Sequence, residues 1–352
     1  MVLQKRRDYQ DCLLRSLGAF LAKSQRLGPN AVAIPDSDEF KHLFQSISDS
    51  ATKTVFRAKW LDKSGRQGYS AKESGDSDFD IVMQNNTSAI DGLPVRKSGE
   101  WAKRKHHFLK NYCGITTVSM RNKFKNGVVY LDVMAGPGKC KIEETNEEFP
   151  GSPMVALDHD FAKYIFIEEE PALANALKQR VANHPKASKI KIIPENWISV
   201  VRSGRLKFDV ATLVVAFVDP TGISQVPLSA MKMLAHNPKI DLLITIQYRL
   251  GIVWNAPQYR KSKSGQTALD NFLDDQSWRE WESQEPGEFG RLAVEHFCDK
   301  FQREEGFIGT RHLSIPENNP LYRFTLFSRH PLGESFWLKI LKTDEKGQRE
   351  LL

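Results

Sequence analysis

The sequence predicts an α/β fold, a mostly parallel, Rossmann-like sheet that ends in an antiparallel hairpin. Apolar, β-branched runs alternate with helical patterns from residue 128 to 246, as expected for strands buried on both faces of a parallel sheet. Two later runs, 307–315 and 322–328, are joined so closely that they must be antiparallel. A helical cap at 248–288 and an N-terminal extension at 1–90 complete the expected architecture.

The most informative stretch is an apolar run that ends in Asp132 and is followed by a glycine-bearing turn. Gly136 and Gly138 let the backbone turn sharply and approach a ligand closely. Asp132 comes at the sheet edge where open α/β sheets bind ligands. Lys141 occupies the position where a dinucleotide fingerprint needs its third glycine, which weighs against NAD. With Ala135, the pattern Asp-x-x-Ala-Gly-x-Gly resembles the first motif of S-adenosylmethionine-dependent methyltransferases. The alternative is a tight turn that binds nothing.

Composition and charge restrict the class of protein. Apolar residues make up 40% of the 352 residues and charged residues 26%, which is ordinary for a globular protein. No apolar run approaches the roughly 20 residues of a membrane span, and no secretory signal is evident. The four cysteines are scattered, which argues against a disulfide framework and a zinc site. We therefore expect a cytoplasmic protein without a metal, and its net charge of +7 allows a polyanionic partner.

The N-terminal extension has a different pattern. Leucines at helical spacing predict an amphipathic helix at 8–24, a second helix is expected at 39–47, and residues 63–75 are polar and glycine-rich, as in an exposed loop. Asp78 and Asp80 flank an apolar residue and resemble the metal-binding Asp-x-Asp of nucleotidyltransferases. The match is partial, because Lys63-Ser64 replaces the usual Gly-Ser. An acidic loop edge, or a remnant of such a domain, is the stronger interpretation.

The segment that leads to the glycine turn predicts a basic helix. Trp101, Lys105, Phe108, Leu109 and Tyr112 fall along one side of it. Its other faces are rich in cations, which could contact phosphates or form a solvated face: Lys103, Arg104, His106, His107 and Lys110. After the turn we expect an acidic, mobile loop at 141–149. A helix should follow, with Ser152 as its N-cap and Pro153 at its first position.

Two further strands should bring polar residues to the same sheet edge. The run 164–167 ends at Glu168, where Rossmann-like folds hydrogen-bond a ribose hydroxyl, with Glu169 as second choice. The run 190–193 ends before Glu195 and Asn196. In methyltransferases the residues after this strand usually bind the adenine amino group, and either residue could do so.

The fourth strand, at 210–218, ends in Asp219-Pro-Thr-Gly222, and a fifth is expected at 242–246. Asp219 should face the same crevice as Asp132 and could accept a hydrogen bond from an amino group that is being alkylated. Pro220 lacks a backbone donor and fixes the turn. The pattern is similar to the Asp-Pro-x-x motif of enzymes that methylate exocyclic amino groups of nucleic-acid bases. An Asp219 that only caps the next helix is the alternative.

The expected cap mixes aromatic and basic residues. Tyr248, Trp254 and Tyr259 alternate with Arg249, Arg260, Lys261 and Lys263. Such residues can stack on bases and hold phosphates, or they can pack the cap against its domain. The candidate substrate contacts are Lys105, Arg249, Tyr259 and Arg260.

Taken together, residues 91–339 closely resemble the three-Cys-motif partner protein family. The matching residues are Asp91-Gly-Leu-Pro, Trp101 with Lys105, the glycine turn, Gly151-Ser-Pro, Glu168, Asp219-Pro-x-Gly, and Phe327-Ser-Arg-His-Pro followed by Trp337. The resemblance implies a class I methyltransferase fold over about 91–345, S-adenosylmethionine as cofactor, and a partner with a three-cysteine motif similar to radical S-adenosylmethionine proteins. Residues 1–90 and the acidic loop depart most from the family.

The first functional hypothesis is therefore a methyltransferase acting on a nucleic-acid base or a nucleotide-like substrate, with Asp219 and Pro220 at the transfer site. The candidate cofactor contacts are Asp132, Ala135, Gly136, Gly138, Glu168, Glu195 and Asn196. Transfer would be an in-line displacement that depends on orientation more than on acid–base chemistry. The alternatives are a binding or sensor module without turnover and, less favoured, a nucleotidyltransferase remnant in residues 1–90.

Overall fold

The computed structural model describes residues 59–61, 67–69, 86–262, 267–308, 312–316 and 320–342. The chain divides into two compact units, Met1–Phe79 and Asp80–Leu352. In the first unit the described residues form an antiparallel ribbon of β1 (Lys59–Leu61) and β2 (Gln67–Tyr69). Thus part of the stretch expected to be a loop is a strand. The helices predicted at 8–24 and 39–47, and the pair Asp78 and Asp80, lie outside the described residues. The domain assignments 1–90 and 91–345 stay predictions.

The second unit contains a seven-stranded sheet and a three-stranded sheet. The strands of the large sheet are β4 (Val128–Asp132), β7 (Lys163–Ile167), β8 (Ile190–Ile193), β9 (Leu213–Val218), β10 (Ile240–Ile246), β11 (His312–Ile315) and β12 (Tyr322–Phe327). The small sheet consists of β3 (Arg96–Ser98), β5 (Lys139–Ile142) and β6 (Glu148–Pro150). The helices are α1 (Trp101–Met120), α2 (Ser152–Leu157), α3 (Pro171–Val181), α4 (Trp197–Arg202), α5 (Leu228–Ala235), α6 (Ala256–Lys261), α7 (Ala268–Leu273), α8 (Pro286–Glu305) and α9 (Pro331–Leu341).

The large sheet has the strand order β11-β12-β10-β9-β4-β7-β8. Its central strands are parallel, and β12 runs antiparallel between β10 and β11. This confirms the predicted mostly parallel, Rossmann-like sheet with its C-terminal antiparallel hairpin. The order reverses at β4, since the chain builds outward through β7 and β8 and then returns to β9. Open α/β sheets bind ligands at such a switch point, outside the carboxyl ends of the strands.

Burial explains why these runs are strands. Every residue of β4, β9 and β10 is buried, as predicted for strands covered on both faces. On one face, α1, α2, α3 and α9 contribute to an aromatic-rich core. On the other face, α4 and α5 share a second core with the helices that follow β10. The fourth strand begins at Leu213 rather than at Val210, and Val210 is exposed.

The small sheet corrects the loop predicted at 141–149. There β5 and β6 form an antiparallel hairpin, and β5 also pairs in parallel with β3. The alternation of Lys139 to Ile142 places Cys140 and Ile142 inward against Phe149 and Ala102 of α1. The period of two in this burial pattern was hidden by the acidic residues at the tip of the hairpin. In the same region Gly151, not Ser152, is the N-cap of α2.

The predicted cap is helical in its described residues. A π-helical segment (Tyr248–Val253), α6, α7 and a 3₁₀ turn (Ser277–Trp281) follow β10 and lead to α8. Their buried aromatic residues belong to the same continuous core as α5 and one face of the large sheet. The segment therefore packs on that face of the large sheet.

Candidate active site

The glycine turn after β4 has the backbone shape that only glycine adopts easily. Gly136 has φ +64° and Gly138 has φ +82°, in the left-handed region that L-residues rarely enter. A Cβ on Gly138 would lie 2.8 Å from Leu177 Cδ1, so the turn also needs glycine for packing on α3. Ala135 is buried, and its amide donates to Ile167 O. The turn is thus tied to the carboxyl end of β7.

Glu168 joins this turn to the second strand. Its Oε2 accepts a hydrogen bond of 2.7 Å from the Gly136 amide, and its Oε1 accepts one from the Glu170 amide. Arg96 of β3 lies beside the same carboxylate, with Nη2 3.7 Å from Oε2. The acid predicted at the end of the second strand therefore lies directly against the predicted glycine turn.

A crevice opens along this edge of the sheet. Its lining includes the predicted residues Glu168, Glu169, Glu195, Asn196 and Asp219. It also includes residues that the motifs did not single out: Arg96, Val133, Met134, Trp197, Ile198, Thr221, Ser224 and Gln225. Four of the described lining residues are acids and one is a cation. The crevice is acidic although the whole chain carries a net charge of +7.

Two of the predicted cofactor contacts have partners within the protein. Asn196 caps α4, since its Oδ1 accepts from the Ile198 and Ser199 amides, while its Nδ2 donates to Glu169 Oε2. The Glu195 carboxylate accepts a pair of hydrogen bonds from Arg205, of 2.7 and 2.5 Å. Both residues nevertheless line the crevice, and the choice between them for an adenine amino group stays open.

Asp132 does not reach the surface of the crevice. It is fully buried beneath the turn, where its Oδ1 accepts a 3.3 Å hydrogen bond from the Met134 amide. Burial raises the pKa of Asp132 to about 7, although hydrogen bonds from Ser152, the Met134 amide and Tyr130 oppose the shift. In this structure Asp132 supports the turn from below.

Asp219 forms a close ion pair with Lys105 of α1. The Lys105 ammonium lies 2.6 Å from each oxygen of the carboxylate, and the Asp219 side chain keeps 22% of its surface exposed. Burial alone would raise the pKa of Asp219, but the Lys105 ammonium outweighs it and lowers the pKa below its usual value. Pro220 is buried, and its carbonyl accepts a hydrogen bond from Gln247 Nε2.

Two aromatic residues lie behind this ion pair. The Lys105 ammonium is 5.2 Å from the centre of the Tyr322 ring. The Tyr322 hydroxyl in turn accepts a 2.7 Å hydrogen bond from the Trp101 indole. Trp101 and Lys105 are one helical turn apart and so share a face of α1. This shared face explains structurally why the family resemblance includes Trp101 together with Lys105.

Arg180 of α3 holds the segment before β3 against the glycine turn. All five N–H donors of its guanidinium are used. Two donate to the Asp91 carboxylate, and the others donate to the carbonyls of Leu93, Pro94 and Pro137. These hydrogen bonds from Arg180 lower the pKa of Asp91, against the effect of burial. Because Pro137 lies between the two glycines of the turn, the Asp91-Gly-Leu-Pro motif stabilises the turn without lining the crevice.

The predicted substrate contacts in the cap have other partners or lie elsewhere. Tyr259 is buried and donates its hydroxyl to Gly251 O, while Arg260 donates to Gln284 O and lies over the Phe289 ring. Arg249 is half-buried, and none of the three lines the crevice. Among the aromatic residues of the described cap, Trp254 is the most exposed, at 62%.

The cations of α1 are largely matched by acids of the same unit. Lys103 pairs with Glu147 and Glu100, and Lys110 pairs with Asp158. His106 is buried rather than on a basic surface, and burial, with the nearby Lys105 charge, lowers its pKa to about 4. His106 was therefore assigned wrongly to an outer face. The pairing of Lys103 and Lys110 favours the solvated-face interpretation of this helix.

No protein-family model matches the chain, and no curated protein matches it. Solved structures with a similar arrangement include a Legionella pneumophila protein of the DUF519 family model, with 12% identity, a TM-score of 0.41, and coverage of 69% of this chain and 94% of that one. A candidate O-methyltransferase from Klebsiella pneumoniae has 12% identity, a TM-score of 0.40, and coverage of 73% and 91%. A candidate methylase from Haemophilus influenzae has 15% identity, a TM-score of 0.37, and coverage of 67% and 91%.

These low identities and TM-scores do not indicate a substrate or an activity for this chain. The assignment of the fold rests on the sheet itself, with β12 inserted antiparallel between β10 and β11. Within the described residues, no group of three or more His, Cys, Asp or Glu is arranged to hold a metal ion. None of the described helices is both long enough and apolar enough to cross a membrane.

Proposed function

We propose that the crevice binds S-adenosylmethionine and that the protein is a methyltransferase. The observation that carries this proposal is the hydrogen bond between Glu168 and the Gly136 amide. In a dinucleotide-binding turn the backbone amides face a pyrophosphate. Here the Gly136 amide donates to the Glu168 carboxylate, whose negative charge repels a phosphate. The remaining lone pairs of that carboxylate can accept hydrogen bonds from the hydroxyls of a ribose.

The charge of the crevice supports the same ligand. S-adenosylmethionine carries a sulfonium, an ammonium and one carboxylate, so its net charge is positive. Lys105 and Arg205 neutralise Asp219 and Glu195, and Arg96 lies near Glu168, which leaves the lining slightly acidic. An acidic lining attracts such a cation and disfavours a doubly charged pyrophosphate. Arg96 is the residue suited to the ligand's carboxylate.

The residues of this chain would have distinct roles. Glu168 would hold the ribose, Glu195 or Asn196 the adenine amino group, and the glycine turn would allow close approach of the ligand to the backbone. When bound, S-adenosylmethionine supplies an electrophilic methyl group. Asp219 would orient an acceptor amino group in line with that methyl and accept a hydrogen bond from it as positive charge develops on the nitrogen.

For the acceptor we propose an exocyclic amino group of a nucleic-acid base or a nucleotide-like molecule. The Asp219-Pro220 sequence supports this, as does the exposed ring of Trp254. Base–aromatic stacking needs an exposed ring, which the buried Tyr259 does not offer. The partner implied by the family resemblance, a three-cysteine protein similar to radical S-adenosylmethionine proteins, and the cytoplasmic location are proposed on the sequence alone.

Trp254→Ala should weaken binding of single-stranded RNA or DNA by roughly five- to a hundredfold, since one base–aromatic stack contributes about 1–3 kcal/mol. Fluorescence anisotropy with a labelled oligonucleotide measures this. Tyr259→Phe is the matched control, because it removes a buried hydroxyl that donates to Gly251 O and should leave affinity unchanged. Equal affinity of Trp254→Ala and wild type would exclude Trp254 from nucleic-acid binding.

The second candidate function is a cofactor-binding partner or sensor that has no turnover. One observation favours it, since Lys105 already occupies both oxygens of Asp219. Incubation with labelled S-adenosylmethionine and mixed tRNA, rRNA and DNA, followed by mass spectrometry of the nucleosides, separates the two. Methylated nucleosides would support the enzyme. Cofactor binding without any product, with and without the three-cysteine partner, would favour the sensor.

A further inference from the structure

Lys105 is buried behind Asp219, a residue of the crevice lining. Lys105 is only 6% exposed, its ammonium contacts both oxygens of Asp219, and it does not line the crevice. A substrate phosphate therefore has no access to this ammonium unless the ion pair breaks. We propose that Lys105 is a positioning residue, which fixes Asp219 as an oriented carboxylate with its exposed edge toward the acceptor. The inference rests on the proposed methyltransferase function.

The ion pair itself is held from behind. The Tyr322 ring faces the ammonium, and the Trp101 indole fixes the Tyr322 hydroxyl. These contacts form a continuous series that begins at Trp101 in the first turn of α1, continues through Tyr322 and Lys105, and ends at Asp219 on the edge of the crevice. With both oxygens chelated by one ammonium, the plane of the carboxylate cannot rotate freely. A fixed acceptor costs no reorganisation when charge develops on the substrate nitrogen.

Among the described residues, the other cation at this crevice is Arg96, which lies beside Glu168 and not in the ion pair. The groups that influence or face Asp219 are His106 from α1, Tyr130 and Asp132 from β4, Cys140 from β5, Thr245 from β10 and Tyr322 from β12. His106 is neutral at pH 7 because burial lowers its pKa to about 4. Without Lys105, burial and the neighbouring Asp132 would both favour the protonated form of Asp219. A protonated carboxyl has lost acceptor capacity at the transfer site.

The test is the pH dependence of methyl transfer by the full chain on mixed tRNA, rRNA and DNA. Protonation of Asp219 should not limit wild type as pH falls from 8 to 6, because the pKa of Asp219 is below its usual value. Lys105→Met should bind S-adenosylmethionine like wild type, lose kcat on the order of a hundredfold at neutral pH, and recover activity as pH rises. Lys105→Arg, which keeps the charge, should retain the wild-type pH profile and serves as the second variant if Lys105→Met does not fold.

The outcomes are distinguishable. Suppose that wild type is active and that Lys105→Met has a raised KM, an unchanged kcat and an unchanged pH profile. Lys105 would then be a substrate-binding residue. That result would overturn this inference and leave the proposed function standing. An acid limb that Lys105→Arg shows and wild type lacks would also overturn it, since the charge is present. A wild type that binds S-adenosylmethionine but methylates none of the three nucleic acids overturns the proposed function, and this inference with it.

Discussion

Gly136→Val should abolish measurable binding of S-adenosylmethionine. At φ +64° a β-branched residue is strained by roughly 1–2 kcal/mol. Its Cβ would lie 3.2 Å from Arg96 Nε, so the guanidinium beside Glu168 must shift. Relaxation of the strained turn would move the amide that donates to Glu168. The measurement is the rise in Tm with ligand, since a ligand at 100 times its Kd stabilises the native state by about 2.7 kcal/mol.

Gly306→Val is the matched control for this change. Gly306 ends α8 at φ +69°, and a Cβ there would have nothing within 4 Å. The backbone strain is therefore similar, but the site lies away from the glycine turn. Gly306→Val should lower Tm and keep the ligand-induced rise. If a folded Gly136→Val protein shows the same rise as Gly306→Val, the glycine turn does not belong to the ligand site.

Asp219→Ala should lower turnover on the order of 10²–10³-fold, the effect of removing one preorganised polar group from a catalytic site. Binding of S-adenosylmethionine should change little, because Glu168 and the glycine turn are intact. The variant should also be less stable, since the buried Lys105 ammonium loses its partner. Steady-state kinetics with labelled cofactor give the turnover, and titration calorimetry gives the affinity. Wild-type turnover in the variant would remove Asp219 from the mechanism.

The parts that the sequence predicted depend on local patterns. The strands β4, β7 and β8 follow from apolar runs, and Glu168 follows from the acid at the end of the second run. Its contact with the Gly136 amide follows because neighbouring parallel strands end at the same edge of a sheet. The antiparallel hairpin was predicted from the short connection between its two strands alone.

The parts that the sequence did not predict depend on contacts between distant residues. Lys105 and Asp219 are 114 positions apart, so no spacing rule pairs them. Arg96 reaches the crevice only because β3 pairs with β5, whose strand character was masked by acidic neighbours. Burial of His106 depends on the same small sheet, since its Nδ1 contacts Pro150 O at the end of β6. A signal was available for Arg96, because it comes two residues after the Asp91-Gly-Leu-Pro stretch that was used for the resemblance.

The central claim is that the crevice beside Gly136 and Glu168 binds S-adenosylmethionine. Isothermal titration of S-adenosylmethionine into the full chain tests it most directly, with NAD as the competing ligand and Glu168→Gln as the variant. We predict saturable binding of one S-adenosylmethionine per chain and no binding of NAD. In Glu168→Gln the affinity for S-adenosylmethionine should be weaker by about tenfold or more, because a charge-assisted hydrogen bond is lost. Binding of NAD in preference to S-adenosylmethionine, or S-adenosylmethionine affinity that is identical in Glu168→Gln, would contradict the account.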